Sequence, residues 1–223
     1  MSHKIKADIK KAYDAIAPKY LTWTENTHTV RLSYLQKLLA NLNLNTEEGS
    51  NSILELGCGA GVPVTQHLTT VPNTRITAND ISETQIALAR ERLPASVTLI
   101  QGDMMGLSFA DESFAAVLAM YSIFHLPRDE QVTMLERVYG WLKPGGWVLA
   151  NFSAGEFESV SNETWLGGRE GVVHWSGWGV DGTRQVLRDV GFVIEVDEVR
   201  ADEEGEEDGS VKKVEFYWVL ARK

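Results

Sequence analysis

The chain has 223 residues, 43% of them hydrophobic and 23% charged, with a formal net charge of −10. That length fills one well-buried core and is short for two, while the acidic balance works against nucleic acid, whose non-specific binding needs Lys and Arg to displace counterions. Its one cysteine, Cys58, excludes an intramolecular disulfide and a cysteine-rich metal site; Met1-Ser2-His3-Lys4-Ile5-Lys6 opens no apolar signal core and no stretch reaches the about 18 apolar residues of a membrane span, so a cytoplasmic protein is expected.

In chain order, residues 7–20 place Ile9, Ala12, Tyr13, Ile16 and Ala17 at helical spacing until Pro18 interrupts. The amphipathic aromatics Tyr13, Tyr20 and Trp23 beside that proline either belong to an ordinary helix face or cover a ligand pocket. A second helix over 30–42 shows Leu32, Leu35, Leu38, Leu39 and Leu42 on one face, and a polar loop over 41–52 precedes the core fold. Ile53, Leu54 and Leu56 read as a buried strand feeding Gly57-Cys58-Gly59-Ala60-Gly61, where the glycines let the backbone approach a ligand that a Cβ would exclude. Pro63 and Val64 then open a helix whose first N–H groups face the loop. A dinucleotide fingerprint needs a third glycine where Val62 stands, so that ligand is rejected. Glu55, a carboxylate at the strand's end, suits a positively charged ligand or an amine.

Residues 75–79 form a second strand ending in Asp80, and Ser82 with Gln85 makes a capping-box pattern for a helix through Leu93. Residues 97–101 form a third strand ending at Gly102-Asp103. The continuous apolar run 114–120 suits a strand buried on both faces, and 128–142 carries Val132, Leu135, Val138 and Leu142 at helical spacing. Lys143-Pro144-Gly145-Gly146 stops that helix before a fifth strand over 147–152. Strand alternating with helix means a parallel sheet with right-handed crossovers. The segment 153–179 is long for a connection and reads as a lid, a binding loop or hidden helix. A helix over 183–190 ends at Gly191, a strand covers 192–199, and the acidic run 202–209 reads as a solvated hairpin tip. A last strand over 214–221 is expected to be antiparallel.

Ligands of open parallel sheets bind beyond the carboxyl ends of the strands. Here the first three strands end in Glu55 with the glycine loop, Asp80 and Asp103. Asp80 lies about 20 residues past the glycines, the spacing at which an acid accepts from both ribose hydroxyls, and Asp103 is placed to accept from an exocyclic amine of a purine. A helix cap and a turn former would explain each acid singly; their joint placement points to a ligand.

The set Ile53-Leu-Glu-Leu-Gly-Cys-Gly-Ala-Gly61, Asn79-Asp-Ile-Ser82, Gln101-Gly-Asp-Met104, Phe109-Ala-Asp-Glu-Ser-Phe114 and Leu142-Lys-Pro-Gly-Gly-Trp147 resembles the class I S-adenosylmethionine-dependent methyltransferases. More narrowly, it is similar to the small-molecule branch that includes the ubiquinone and menaquinone biosynthesis methyltransferases. The resemblance implies an α/β fold, a Rossmann-like, mostly parallel seven-stranded sheet with helices on both faces and an antiparallel last strand. It implies one domain over 1–223, with helices in 1–45 capping the cofactor and acceptor pocket. S-adenosyl-L-methionine would be the cofactor, with Gly57, Cys58, Gly59 and Gly61 passing under its methionine, Asp80 on the ribose, Ile81 on the adenine, Asp103 and Met104 at the adenine edge, Met120 and Tyr121 near the sulfonium, and Glu55 at the loop's entry.

Methyl transfer needs a general base only for an acceptor that arrives protonated. The candidates are His125, His174 and Tyr20; His125 serves either as base or to orient backbone. Trp165, Trp175 and Trp178 are either core or the wall of an apolar acceptor cavity for an aromatic or hydrophobic substrate. Ala119-Met-Tyr-Ser122 stands where an Asn-Pro-Pro-Tyr motif would mark an amide or base-amine N-methyltransferase. The expected function is methyl transfer to an O, N, S or activated C atom of a small metabolite; the alternative is a regulatory or scaffold protein that binds the cofactor without turnover.

Overall fold

Strands with apolar side chains on both faces need cover on both sides, and this chain supplies it with helices folded back across one sheet. The computed structural model describes residues 2–42, 51–205 and 210–223. Helices α1 (Ser2–Trp23) and α2 (His28–Asn41) lead into β1 (Asn51–Leu56), α3 (Val64–Leu68), β2 (Thr74–Asp80), α4 (Glu83–Arg92) and β3 (Thr98–Gln101). There follow β4 (Phe114–Ala119), α5 (Arg128–Trp141), β5 (Leu142–Ser153), β6 (Glu156–Asn162), β7 (Val173–Trp178), α6 (Gly179–Val190), β8 (Val193–Gly205) and β9 (Val211–Arg222).

Seven strands pair in the order β3-β2-β1-β4-β5-β9-β8. β9 runs antiparallel to both β5 and β8, and β1 to β5 are mutually parallel. This is the Rossmann-like sheet that the family resemblance implies, with the parallel strands expected from the strand and helix alternation. Period two sorts the core: Ile53, Leu118 and Trp218 face α2, α3 and α4, while Leu54, Leu56, Val117 and Val219 face α5 and α6. Strand order reverses between β1 and β4, which opens a crevice beyond their carboxyl ends.

Four departures from the sequence reading have physical causes. α1 runs through Pro18, although the ring removes one helical N–H; the proline is exposed, and Ile9, Ala12, Tyr13, Ile16 and Ala17 bury the opposite face. β5 begins at Leu142, within the segment read as a helix stop, because Leu142 pairs with Phe114 before a bulge restores the ladder at Trp147. The segment read as 153–179 holds no α-helix before α6 starts at Gly179: it is the antiparallel β6–β7 hairpin with a one-turn 3-10 segment at Trp165–Gly167, docked on α1 through Val172 N–H donating to the Asp8 carbonyl at 3.3 Å. The acidic run is not all solvated tip. β8 extends through it to Gly205, and Asp202 is 7% exposed between exposed Ala201 and Glu203; residues 206–209, and residues 43–50 of the segment read as a polar loop, lie outside the described ones.

Candidate functional site

The turn after β1 is held against the sheet by Gly57 and Cys58, whose N–H groups donate to the Asn79 carbonyl at 2.8 and 2.9 Å. Gly57 has φ +75°, and a Cβ there would lie 2.4 Å from Ser122 Cβ, so only glycine leaves this backbone bare at the cavity wall. Asp80 crosses to the loop: its Oδ2 accepts from Gly59 N–H at 2.8 Å and its Oδ1 from Ser82 N–H at 2.9 Å. Burial raises its carboxyl to about pH 6 against those hydrogen bonds. The capping box is half formed, since Ser82 Oγ accepts from Gln85 N–H at 3.1 Å while the Ser82 N–H goes to Asp80. From α1, Asp14 Oδ1 accepts from Ser82 Oγ at 2.6 Å and from Thr84 N–H at 3.1 Å, which ties the N-terminal helix to the start of α4.

Gly57, Cys58, Gly59, Asp80, Ile81, Asp103, Met104 and Tyr121 line one cavity beyond the strand ends. Asp103 Oδ1 accepts from Met105 N–H at 2.9 Å, and its Oδ2 lies 2.8 Å from Lys6 Nζ of α1. Three residues of the same motifs turn elsewhere. Glu55 shares the face of Ile53 and accepts from Thr65 Oγ1 at 2.5 Å; burial lifts its carboxyl to about pH 7. Gly61 lies against Leu93, whose Cδ1 would be 2.6 Å from an added Cβ, and Met120 is buried in the core on the α2–α4 side. Burial also pushes the Cys58 thiol up, the reverse of an activated nucleophile.

A second cavity, of about 410 Å³, opens beside the first, and Tyr13, Tyr20, Arg31, Tyr121 and His125 border both. His125 Nδ1 sits 2.7 Å from the His174 carbonyl, an acceptor only, so Nδ1 carries the proton and Nε2 accepts from Tyr13 Oη at 2.9 Å. Burial lowers the imidazole to about pH 4, which keeps it neutral. His174 itself lines neither cavity; its Nε2 is 3.8 Å from Asp8 and its ring borders a surface hollow with Trp178. Tyr121 follows β4 at φ +55°, a conformation rare for a bulky residue, and its N–H donates to the buried Asn151 Oδ1 at 2.6 Å. Its ring stacks under the Arg31 guanidinium at 4.3 Å, and its hydroxyl donates to Asp202.

The second cavity is walled by Trp23, Phe124, Phe157, Trp165, Trp175 and Phe216. Trp165 makes edge contacts with Tyr13, Trp23 and Trp175 at centroid distances of 5.8, 5.5 and 5.7 Å. Trp178 lies outside, beneath Arg128 at 4.8 Å. Lys6, Arg31 and Asp202 are among the polar lining residues that sequence reasoning missed. Lys6 and Arg31 carry no motif, whereas a single acid burying itself in a strand of exposed acids leaves an alternation that only the pairing of β8 with β9 reveals.

Residues 53–146 match the family described as "Methyltransferase domain". Over those residues the chain is similar to the class I S-adenosylmethionine-dependent methyltransferases. It is 31% identical over 140 residues to a sterol 24-C-methyltransferase of Gibberella zeae, covering 56% of this chain and 35% of that one. It is 28% identical to the 27-O-demethylrifamycin SV methyltransferase of Amycolatopsis mediterranei, covering 94% of this chain and 77% of that one. The first three curated relatives are spanned over only 25% to 56% of their own lengths. The fold is shared with DhpI in complex with S-adenosylhomocysteine, at a TM-score of 0.73 and 22% identity, over 100% of this chain and 98% of that one.

S-adenosylmethionine is the cofactor of class I methyltransferases, and the residues of this cavity fit it. The bare backbone at Gly57 gives close approach. Asp80 keeps acceptor capacity, since an ionised carboxylate offers about four lone-pair sites and backbone N–H groups occupy only part of them. Arg31 supplies a guanidinium to the same cavity, suited to a carboxylate. Among the described residues no helix is long and apolar enough to cross a membrane, and no cluster of His, Cys, Asp and Glu could hold a metal ion.

Proposed function

We propose that this chain transfers the methyl group of S-adenosylmethionine to a small apolar acceptor seated in the aromatic cavity. The observation that carries the reading is the pairing of two cavities across one neck: strand-end acids and bare glycine backbone on one side, tryptophan and phenylalanine on the other. When bound, the cofactor supplies a carbon already activated by a positive sulfur, so the protein's work is alignment and exclusion of water. Asp80 takes the ribose hydroxyls, Ile81 packs on the adenine, Asp103 and Met104 meet its edge, and Arg31 holds the methionine carboxylate. Helices α1 and α2 cap the site, with Tyr13, Tyr20 and Arg31 forming its neck. Residues 43–45 of that cap lie outside the described residues.

Support for an apolar acceptor comes from the cavity walls and from the acceptors in the relatives' names, a sterol and a rifamycin. The net charge of −10 speaks against a nucleic-acid acceptor. His125 acts through its Tyr13 hydrogen bond to hold the neck, because its one lone pair is already used. Calorimetry with S-adenosylmethionine, then incubation of methyl-labelled cofactor with alcohols, phenols, thiols, amines and a cell extract, tests the reading. Tight cofactor binding with label reaching a small apolar product is expected; binding without transfer to any of them would favour a regulatory protein.

A further inference from the structure

Five residues border both cavities, and a proton leaving an acceptor there must end on a group that can keep it. His125 is a poor destination. Its Nδ1–H is spent on a backbone carbonyl, its Nε2 is capped by Tyr13, and protonation would create a buried cation with no carboxylate on either ring nitrogen. Tyr121 differs in having an acid behind it: its hydroxyl donates to Asp202 Oδ2, and both residues line the aromatic cavity. Protonating Asp202 removes a buried anion instead of making a buried cation. The rest of the setting supports a held catalytic group. Tyr121 borders the cofactor cavity just past the end of β4, keeps a positive φ against its steric preference, and is fixed by Asn151 from below and by edge contacts with Phe216 and Trp218 at 5.0 and 5.6 Å.

We propose that Tyr121 and Asp202 form the proton-accepting pair for a hydroxyl acceptor, with Tyr121 touching the acceptor oxygen and Asp202 receiving the proton. This rests on the methyl-transfer reading above. The acceptor oxygen bonds to the methyl carbon as the carbon–sulfur bond breaks and leaves its electron pair on sulfur. The acceptor's proton passes to Tyr121 Oη while Tyr121 passes its own to Asp202 Oδ2. Burial raises the Asp202 carboxyl above the ordinary range, against Arg31 and Arg200, which favour its charged form; Glu204 and Lys212 border the same cavity. Burial raises the Tyr121 hydroxyl as well, so a standing phenolate is disfavoured and the two transfers run together.

The pair is read first without turnover, in full-length protein saturated with S-adenosylhomocysteine and carrying carboxyl-labelled aspartate. The carbon signal that Asp202→Asn removes should titrate above the ordinary aspartate range, and Tyr121→Phe should move its midpoint further up; a midpoint indifferent to Tyr121→Phe overturns the pair. Asp202→Asn should leave S-adenosylhomocysteine affinity within about twofold, and failure of the wild type to bind would instead sink the methyl-transfer reading. With labelled cofactor at pH 8, Asp202→Asn should lower kcat on benzyl alcohol by at least about 100-fold, the range of general base catalysis, and by less than about threefold on thiophenolate, which brings no proton. Equal losses on both acceptors, or the acceptor-dependent loss appearing in His125→Gln instead, would overturn the assignment.

Discussion

The two cavities are built from different kinds of sequence. The floor of the first comes from three consecutive strand ends, each position set by the strand it follows: Gly57 by β1, Asp80 by β2, Asp103 by β3. The second has no such floor: beyond the residues it shares with the first, it gathers Trp23 from α1, Phe157 from β6, Trp175 from β7 and Phe216 from β9. The first is set by backbone geometry and fails if one Cβ is added. The second is set by side-chain packing from distant elements, which tolerates change and can be retuned for a new acceptor without touching the cofactor.

The largest expected effect is at Gly57. Gly57→Ala places a Cβ 2.4 Å from Ser122 Cβ at a φ of +75°, and the loop must shift to accept it. Calorimetry should then show S-adenosylhomocysteine affinity lowered by at least about 100-fold, a loss near 3 kcal/mol. Wild-type affinity in this variant would mean that the first cavity is as adaptable as the second, and the contrast would fail.

Glu55 separates belonging to a motif from touching a ligand. Its folded carboxyl, lifted to about pH 7 from 4.5, contributes stability that is present at low pH and lost as pH rises through 7, by about 3 kcal/mol in the limit of full ionisation. Denaturant melts of Glu55→Gln from pH 4 to 8 should lack most of that decline while cofactor affinity changes little. If the variant loses cofactor affinity by the factor expected for Asp80, Glu55 reaches the ligand after all.

Asp80→Asn keeps the size of the side chain and removes the charge, so affinity should fall by about 10- to 100-fold, as for loss of charge-assisted hydrogen bonds worth about 1.5 to 3 kcal/mol. The same carboxyl predicts a pH dependence. It titrates near pH 6, so cofactor affinity should drop as pH is lowered through 6 in the wild type and not in Asp80→Asn. A shared pH profile would take Asp80 out of the ribose site.

How far the sequence could be read follows the same division. Ile53, Leu54 and Leu56 before a glycine turn, and the acids closing the next two strands, are short-range patterns in which chain position dictates geometry. The alternation of parallel strands with helices and the antiparallel β9 were legible for that reason; the seven-stranded sheet came with the family resemblance, and the strand order was not read. Alternation along β1 even contained the fate of Glu55, which shares the face of Ile53. Illegible were Arg31 and Asp202, because the contacts that place them span sequence separations that no local period encodes: Arg31 meets Tyr121, and Asp202 meets the same ring from the far side of the chain. The Gly- and Trp-rich stretch after β5 hid a hairpin for a similar reason, since β6 is exposed and lacks the apolar alternation that usually betrays a strand.

The smallest effect on the cofactor is expected where the acceptor wall is cut. Trp165 is half-buried and holds the second cavity through edge contacts with Tyr13, Trp23 and Trp175. Edge-to-face pairs contribute about 0.5 to 1.5 kcal/mol each beyond their buried area, so Trp165→Ala should lower stability by about 2 to 3 kcal/mol in a denaturant melt and leave S-adenosylhomocysteine affinity within about threefold. Its acceptor should bind more weakly, seen as a raised KM with kcat retained, because the lost contact acts equally on ground and transition states. If cofactor affinity fell as steeply as in Asp80→Asn, the aromatic wall would be supporting the glycine loop through Tyr13 and the neck, and the two cavities would be one cooperative unit.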